Sequence, residues 1–170
     1  MSISIPELII SDSMHLRALS QNDAQFMYEL MNTADWIEFI GSRNIIDTNA
    51  ASEYIRKVEN SDDINFWVIL PMLESKAVGV VTIIKKEYLD FPDIGFALLP
   101  AFYQRGFAFN AAKILLSNYF TNSNFIKILA TSLKHNLRSI GLLTKLGFKY
   151  EKEIIYEGET MNVYSTNNVS

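Results

Sequence analysis

A chain of 170 residues, 49% hydrophobic and 20% charged, has the size and balance of one globular domain spanning residues 1–170 with a sizeable core. Fifteen Lys and Arg against nineteen Asp and Glu leave a net charge of −4, so no basic field exists to hold a polyanion, which argues against sequence-independent nucleic-acid binding. The absence of cysteine excludes disulfides, thiolate metal sites and a cysteine nucleophile, and it fits a reducing, cytoplasmic address.

Residues 1–12 carry no Lys or Arg ahead of their apolar positions and contain Pro6, a pattern unlike a secretory signal. An opening strand is predicted over residues 7–18, interrupted at Ser11-Asp12-Ser13, and Ser20 with Asp23 resembles a capping box. Phe26, Met27, Leu30, Met31 and Ala34 form one apolar stripe of a first helix. Asp47 or Thr48 caps a second, on which Ala51, Tyr54, Ile55 and Val58 recur at helical spacing. Residues 65–70 and 76–84 read as an antiparallel pair turned at Glu74-Ser75, and residues 93–99 as a further strand. The most apolar runs, 66–73 and 77–84, are far shorter than the roughly 20 residues that cross a bilayer, so they read as buried strands and no membrane partner is expected.

Beyond Gly106 the period changes. Ala108, Ala111, Ala112, Leu115, Leu116 and Tyr119 share one face of a third helix, followed by a strand over 125–132 and a fourth helix over 136–146. Gly147 suits its C-terminal cap, with Phe148 as the apolar contact beyond. Strands over 149–156 and 159–165, turned at Glu157-Gly158, close the domain, and the polar tail from Thr166 is expected to fray. No linker, repeat or low-complexity tract argues for a second domain. The order β α α β β β α β α β β requires a mixed sheet and an α+β class.

The junction from Leu98 to Ala108 passes from a strand through a short loop into a helix start, where unpaired N–H groups and the helix dipole favour anions. Gly106 lets a phosphate approach the main chain and Arg105 adds charge. An ordinary strand-to-helix turn explains the same residues equally well. No Gly-x-x-x-x-Gly-Lys motif is present, which argues against a nucleoside triphosphatase. His15 and His135 have no companion ligand pattern, so no metal is expected. Trp36 and Trp67 are expected in the core or a cleft wall.

Asp93-Ile94-Gly95-Phe96-Ala97-Leu98-Leu99-Pro100, Tyr103-Gln104-Arg105-Gly106-Phe107-Ala108, Asn136-Leu137-Arg138-Ser139 and Lys145-Leu146-Gly147-Phe148 occur in that order. With Leu16-Arg17-Ala18-Leu19 and Asp23-Ala24 near the start, they resemble the GNAT N-acetyltransferase superfamily over nearly the whole chain. The resemblance is closest to the branch containing the ribosomal-protein N-terminal acetyltransferases. It implies a mixed, mostly antiparallel seven-stranded sheet splayed between its fourth and fifth strands, flanked by four helices, with acetyl-CoA as co-substrate in the wedge.

Carried over by position, the main chain of Leu98 and Leu99 would pair with the pantetheine arm. The amides of Gln104, Arg105, Gly106, Phe107 and Ala108 would hold the pyrophosphate, and Asn136 and Ser139 would contact the CoA arm. Asn136 also reads as a plain N-cap, a role compatible with the other. Tyr103 and Gln104 depart from the Gln or Arg and the second glycine usual in that loop. Phe109-Asn110 replaces a common Thr-Glu, and Leu143 stands where many relatives place a tyrosine that protonates the leaving thiolate. Ser139 becomes the candidate for that proton. Asp93 matches a strand position that carries a Glu base in some relatives, with Glu151, Glu153 and Glu157 as rival carboxylates. Residues 36–41 correspond to one side of the relatives' acceptor pocket, although core packing is the default role of their aromatics.

The expected activity is therefore acetyl-CoA-dependent transfer of an acetyl group to a primary amine, on a peptide N-terminus or a small molecule, by direct attack in a ternary complex. Main-chain N–H groups of residues 96–99 would stabilise the developing oxyanion. The alternatives are a non-catalytic acyl-CoA-binding or regulatory module and a dimerising scaffold with a vestigial pocket. A homodimer is compatible with the sequence.

Overall fold

The computed structural model describes residues 3–167. The opening segment folds as two strands rather than one, β1 (Leu8–Ile10) and β2 (Met14–Ala18), because Ser11 closes a tight turn. Its hydroxyl donates to Met14 O at 2.8 Å and accepts from Met14 N at 3.1 Å. Next come α1 (Ala24–Met31), a π-helical turn at Trp36–Ile40, and α2 (Thr48–Glu59), whose cap is Asp47 accepting from Ala50 N at 2.7 Å. The chain continues through β3 (Ile64–Pro71), β4 (Gly79–Ile84), β5 (Asp93–Leu98), α3 (Phe107–Asn122), β6 (Lys127–Leu133), α4 (Leu137–Lys145), β7 (Lys149–Tyr156) and β8 (Glu159–Asn167).

The described residues thus hold eight strands and, counting the π turn, five helices, against the expected seven and four. The extra strand is the split opening segment. The extra helix is Trp36–Ile40, too short and too uniformly apolar to show a period in the sequence. The tail also differs from expectation, since Thr166 and Asn167 pair with Ile128 and Lys127 and are held in β8. Residues 168–170 lie outside the described residues.

All eight strands form one sheet in the order β1-β2-β3-β4-β5-β6-β8-β7, antiparallel throughout except where β5 meets β6. That parallel contact follows from the α3 crossover between those strands. Ile69 and Ile83 from the sheet, Ile55 from α2 and Leu115 from α3 are fully buried in a continuous core. Near the entry to α1, Asp23 accepts both arms of Arg17 at 2.9 Å and Ser20 N at 2.9 Å, the reciprocal half of the predicted capping box. Burial pushes the Asp23 carboxyl up, but Arg17 and Ser20 outweigh it and hold it below the usual range. Gly147, at φ +85°, ends α4 as expected, with Phe148 N donating to Leu143 O at 3.0 Å.

A candidate active site in the split sheet

β5 and β6 share a single register pair, Asp93 with Leu129. Leu129 N donates to Pro92 O at 2.8 Å, but Thr131 N, which would take the next rung of a parallel ladder, donates instead to Asp93 Oδ1 at 2.8 Å. The carboxylate ends the ladder, and the two strands part from there. Asp93 is 5% exposed, and its other oxygen faces Lys86 Nζ at 2.5 Å. Burial pushes the Asp93 carboxyl above its ordinary value despite Lys86 and Thr131. Burial also opposes the Lys86 charge, but Asp93 more than offsets it and holds that ammonium pKa up.

At the far end of β5, Leu99 N donates to Val78 O at 2.9 Å. Strand alternation then turns the N–H groups of Phe96 and Leu98 away from β4, toward the gap. A cavity of about 100 Å³ occupies this gap. Phe96, Ala97 and Leu98 form one wall, Asn136, Ser139 and Leu142 of the α4 region another, and Trp36, Phe39 and Ile40 of the π turn close the third side.

Three cavity residues from distant parts of the chain meet at its rim. Arg138 pairs with Asp35 and lies over the Tyr103 ring, 4.1 Å from its centroid. Burial and the neighbouring Asp35 push the Tyr103 hydroxyl above its ordinary value, against Arg138, so it keeps its proton at neutral pH. Beside this latch, His135 approaches Glu38 at 3.3 Å and packs against Phe39 at 5.3 Å between ring centroids. Both contacts tie the π turn to the start of α4.

The cavity borders the start of α3, where Ala108 lines it. The cap of that helix is Gly106 at φ +80°, and no side chain caps its first turn. A Cβ built at Gly106 meets only Asn110 Nδ2, at 3.8 Å, so the approach to these amides is open. Free N–H groups, a positive helix end and open space fit a phosphate group of acetyl-CoA. Gln104 adopts φ +60° in the same loop, so the backbone keeps the left-handed turn that glycine usually makes there.

The gap brings together Leu98, Ala108, Asn136 and Ser139 of the expected site residues. Asn136 caps α4 by accepting Ser139 N at 3.2 Å and lines the cavity as well. Gly106, Phe107 and Gln104 lie in the loop and helix start beside them. Leu99 lies just outside, with its N–H on Val78 and its carbonyl accepting from Phe102 N at 3.0 Å. Arg105 pairs with Glu74 at 2.5 Å and lies over Phe107, 4.8 Å from the ring centroid. Asp93 is at the closed end of the gap, away from the cavity lining.

A bulge lies between Tyr150 and Lys152, and of the rival carboxylates Glu151 pairs with Lys127 at the start of β6 and Glu153 with Lys134 just past its end. Glu157 sits in the hairpin turn at φ +50°. Leu143, 1% exposed, belongs to the core. Asp35 has no part in the sequence reading, Tyr103 enters it only as a departure from the loop motif, and Arg138 only as a member of one. Their meeting depends on chain-distant packing, although Asp35 directly precedes the aromatic run and Tyr103 departs from its loop pattern. Trp67 is a core residue that donates from Nε1 to Pro6 O at 3.0 Å, whereas Trp36 is both buried and part of the cavity wall.

Residues 13–149 match the family described as acetyltransferase (GNAT) domain. A curated relative, the uncharacterized N-acetyltransferase YnaD of Bacillus subtilis (strain 168), is 24% identical over 136 residues, covering 80% of this chain and 79% of its own. Among solved structures, the microcin C7 self-immunity acetyltransferase MccE in complex with acetyl-CoA and AMP aligns at a TM-score of 0.80 and 20% identity, over 98% of both chains. The spermidine N-acetyltransferase of Vibrio cholerae, in complex with CoA and spermine, aligns at 0.78 and 19%, over 92% of this chain and 96% of the other.

Proposed function

The protein belongs to the GNAT acetyltransferases, and from that premise we propose that it is an acetyl-CoA-dependent N-acetyltransferase in which a primary amine attacks the thioester directly in a ternary complex. The observation that carries the reading is the continuity of three features. A gap between parallel strands, a strand edge with free N–H groups and an uncapped helix start lie along one cleft. Loop and helix amides from Gln104 to Ala108 would hold the pyrophosphate, the edge of Leu98 the pantetheine arm, and Asn136 and Ser139 the opposite side. The Phe96 and Leu98 N–H groups supply donors to negative charge developing on the thioester oxygen. Ser139, in the cavity wall, is the proposed proton donor to the leaving thiolate.

Proton removal depends on the acceptor. A lysine-type amine near pKa 10.4 is neutral in roughly one molecule in 2,500 at pH 7, whereas an α-amine near 7.7 needs little help. The resemblance to the ribosomal-protein branch favours an α-amine. A relay through water from Asp93 is tested by the pH profile of kcat/KM in Asp93→Asn, because a carboxylate must be ionised to take the proton, so its removal predicts loss of the acidic-limb dependence.

Thermal unfolding with and without saturating acetyl-CoA tests the co-substrate site. A ligand confined to the folded state adds about 2.7 kcal/mol at one hundred times its Kd. Gly106→Glu is expected to abolish that gain by filling the phosphate position with a like charge, while Gly106→Ala keeps most of it. An unchanged gain in Gly106→Glu would refute the assignment. Thiol release with a panel of amines then separates an enzyme from a module that binds acyl-CoA and never turns over.

A further inference from the structure

The guanidinium expected to add charge beside the CoA phosphates is engaged elsewhere. Arg105 is the one charged residue between Asp93 and Lys113, so the side-chain charge of the loop that leads into α3 is its own. Its guanidinium lies over the rings of Phe102 and Phe107, 5.6 and 4.8 Å from their centroids, which keeps it against the start of α3. Yet its Nη2 donates to Glu74 Oε1 at 2.5 Å.

Glu74 reaches this loop from the turn between β3 and β4. Its N–H donates to Pro71 O at 3.2 Å, and a few residues on Leu99 N donates to Val78 O at 2.9 Å, so the turn and the loop after β5 sit side by side. The two partners are unequal. The Glu74 side chain is 20% exposed and rises from a closed turn, whereas that of Arg105 is 48% exposed on a long stem. The carboxylate is the fixed partner and the guanidinium the movable one.

Electrostatics gives the pair a role. With Glu74 in place an incoming phosphate meets a neutral pair, and the attraction comes from the loop amides and the helix end. Without the carboxylate the same place carries an uncompensated positive charge. Carboxylate and phosphate are the two groups that a guanidinium fork matches, so they compete for it.

Resting on the acetyl-transfer reading, we propose that Glu74 is a positioning residue that withholds Arg105 from CoA: the guanidinium exchanges the carboxylate for a phosphate when CoA binds and returns to it when CoA leaves. The exchange replaces one charge-assisted contact by another, so Arg105 adds to affinity only the difference between its two partners. CoA is the product left in the site after transfer, and a weaker hold shortens its stay.

Isothermal titration calorimetry with CoA, at low and at physiological ionic strength, tests the exchange. Glu74→Gln is expected to tighten CoA binding about three- to fivefold at low ionic strength, the range of an exposed ion pair. The gain should shrink as salt screens the freed charge. A carboxylate that merely shaped the loop would give the opposite sign, because its loss would loosen the amides. Unchanged or weaker binding in Glu74→Gln overturns the proposal.

The Arg105→Ala background separates withholding from plain repulsion between Glu74 and the phosphates. There Glu74→Gln is expected to lose most of its gain, and a gain as large as in the parent overturns the exchange. 3′-Dephospho-CoA locates the new partner, since a retained gain assigns the pyrophosphate and a lost one the 3′-phosphate. A crystal structure of the wild-type CoA complex needs no variant. Arg105 is expected on a phosphate, and Arg105 still on Glu74 overturns the proposal. Wild-type protein that binds no CoA defeats the acetyl-transfer reading, whereas CoA binding that Glu74→Gln does not tighten defeats this proposal alone.

Discussion

The two ends of the gap between β5 and β6 are each bridged by a carboxylate and a cation, and the bridges differ in kind. At the closed end, Asp93 and Lys86 are mostly withdrawn from water, and the carboxylate also takes the Thr131 N–H. At the open end, Asp35 and Arg138 lie on an exposed rim where solvent competes for both. A carboxylate–cation pair therefore serves as a fixed pivot in one place and a releasable tie in the other. Burial, rather than the identity of the partners, sets the difference.

The largest expected effect comes from breaking the pivot. Asp93→Ala strands a buried ammonium and an unpaired N–H, so unfolding in urea should show a loss of about 3–5 kcal/mol. Asp93→Asn, which keeps an acceptor for Thr131, should lose less. The zipped side of the sheet offers an intermediate case in Arg17 and Asp23. Asp23→Ala should cost about 1–2 kcal/mol, with the half-exposed Arg17 limiting the figure. Because the folded-state pKa of Asp23 lies below its ordinary 3.8, its contribution is complete above that value and is lost as pH falls through the folded-state pKa. An acid titration of stability should flatten below pH 4 in Asp23→Ala relative to the wild type.

At the rim, Arg138→Ala should cost less than about 1 kcal/mol by the same assay, since exposed pairs contribute little. A loss there as large as that of Asp93→Ala would erase the distinction between pivot and tie. The smallest effect is expected at Gln104. Its left-handed backbone costs a side-chain-bearing residue about 1–2 kcal/mol, while glycine adds freedom to the unfolded chain, so Gln104→Gly should gain about 0.5 kcal/mol in thermal unfolding.

Residues that act through neighbours in sequence were readable in advance. The strands, α3 with its Gly106 start and the Asn136 cap follow from period and local hydrogen bonding, and these same elements carry Leu98, Ala108 and Ser139 into the cavity wall. Ser11 shows the limit of a local reading. The turn was visible, but its sharpness, which splits one strand into two, depends on a hydroxyl that bonds Met14 twice. Contacts among chain-distant residues gave no sign at all. Nothing in the spacing of Lys86, Asp93 and Thr131, or of Asp35, Tyr103 and Arg138, announces that each trio meets. Asp93 was conspicuous for its strand position, whereas its burial beside Lys86 follows only from the fold.

A sheet that opens in its interior still has two outer borders to protect. β7 is one of them, eight residues long and almost wholly exposed, a ready template for a stray strand. Its Lys149, Glu151, Lys152 and Glu153, with the bulge among them, make that border charged and irregular, while β1 at the opposite border is only three residues long. The unpaired interior edge of β5, by contrast, is walled by α4 and the π turn, so it is not offered to a stray strand. The architecture thus carries an unsatisfied strand edge in its middle without the aggregation hazard that such an edge brings at a margin.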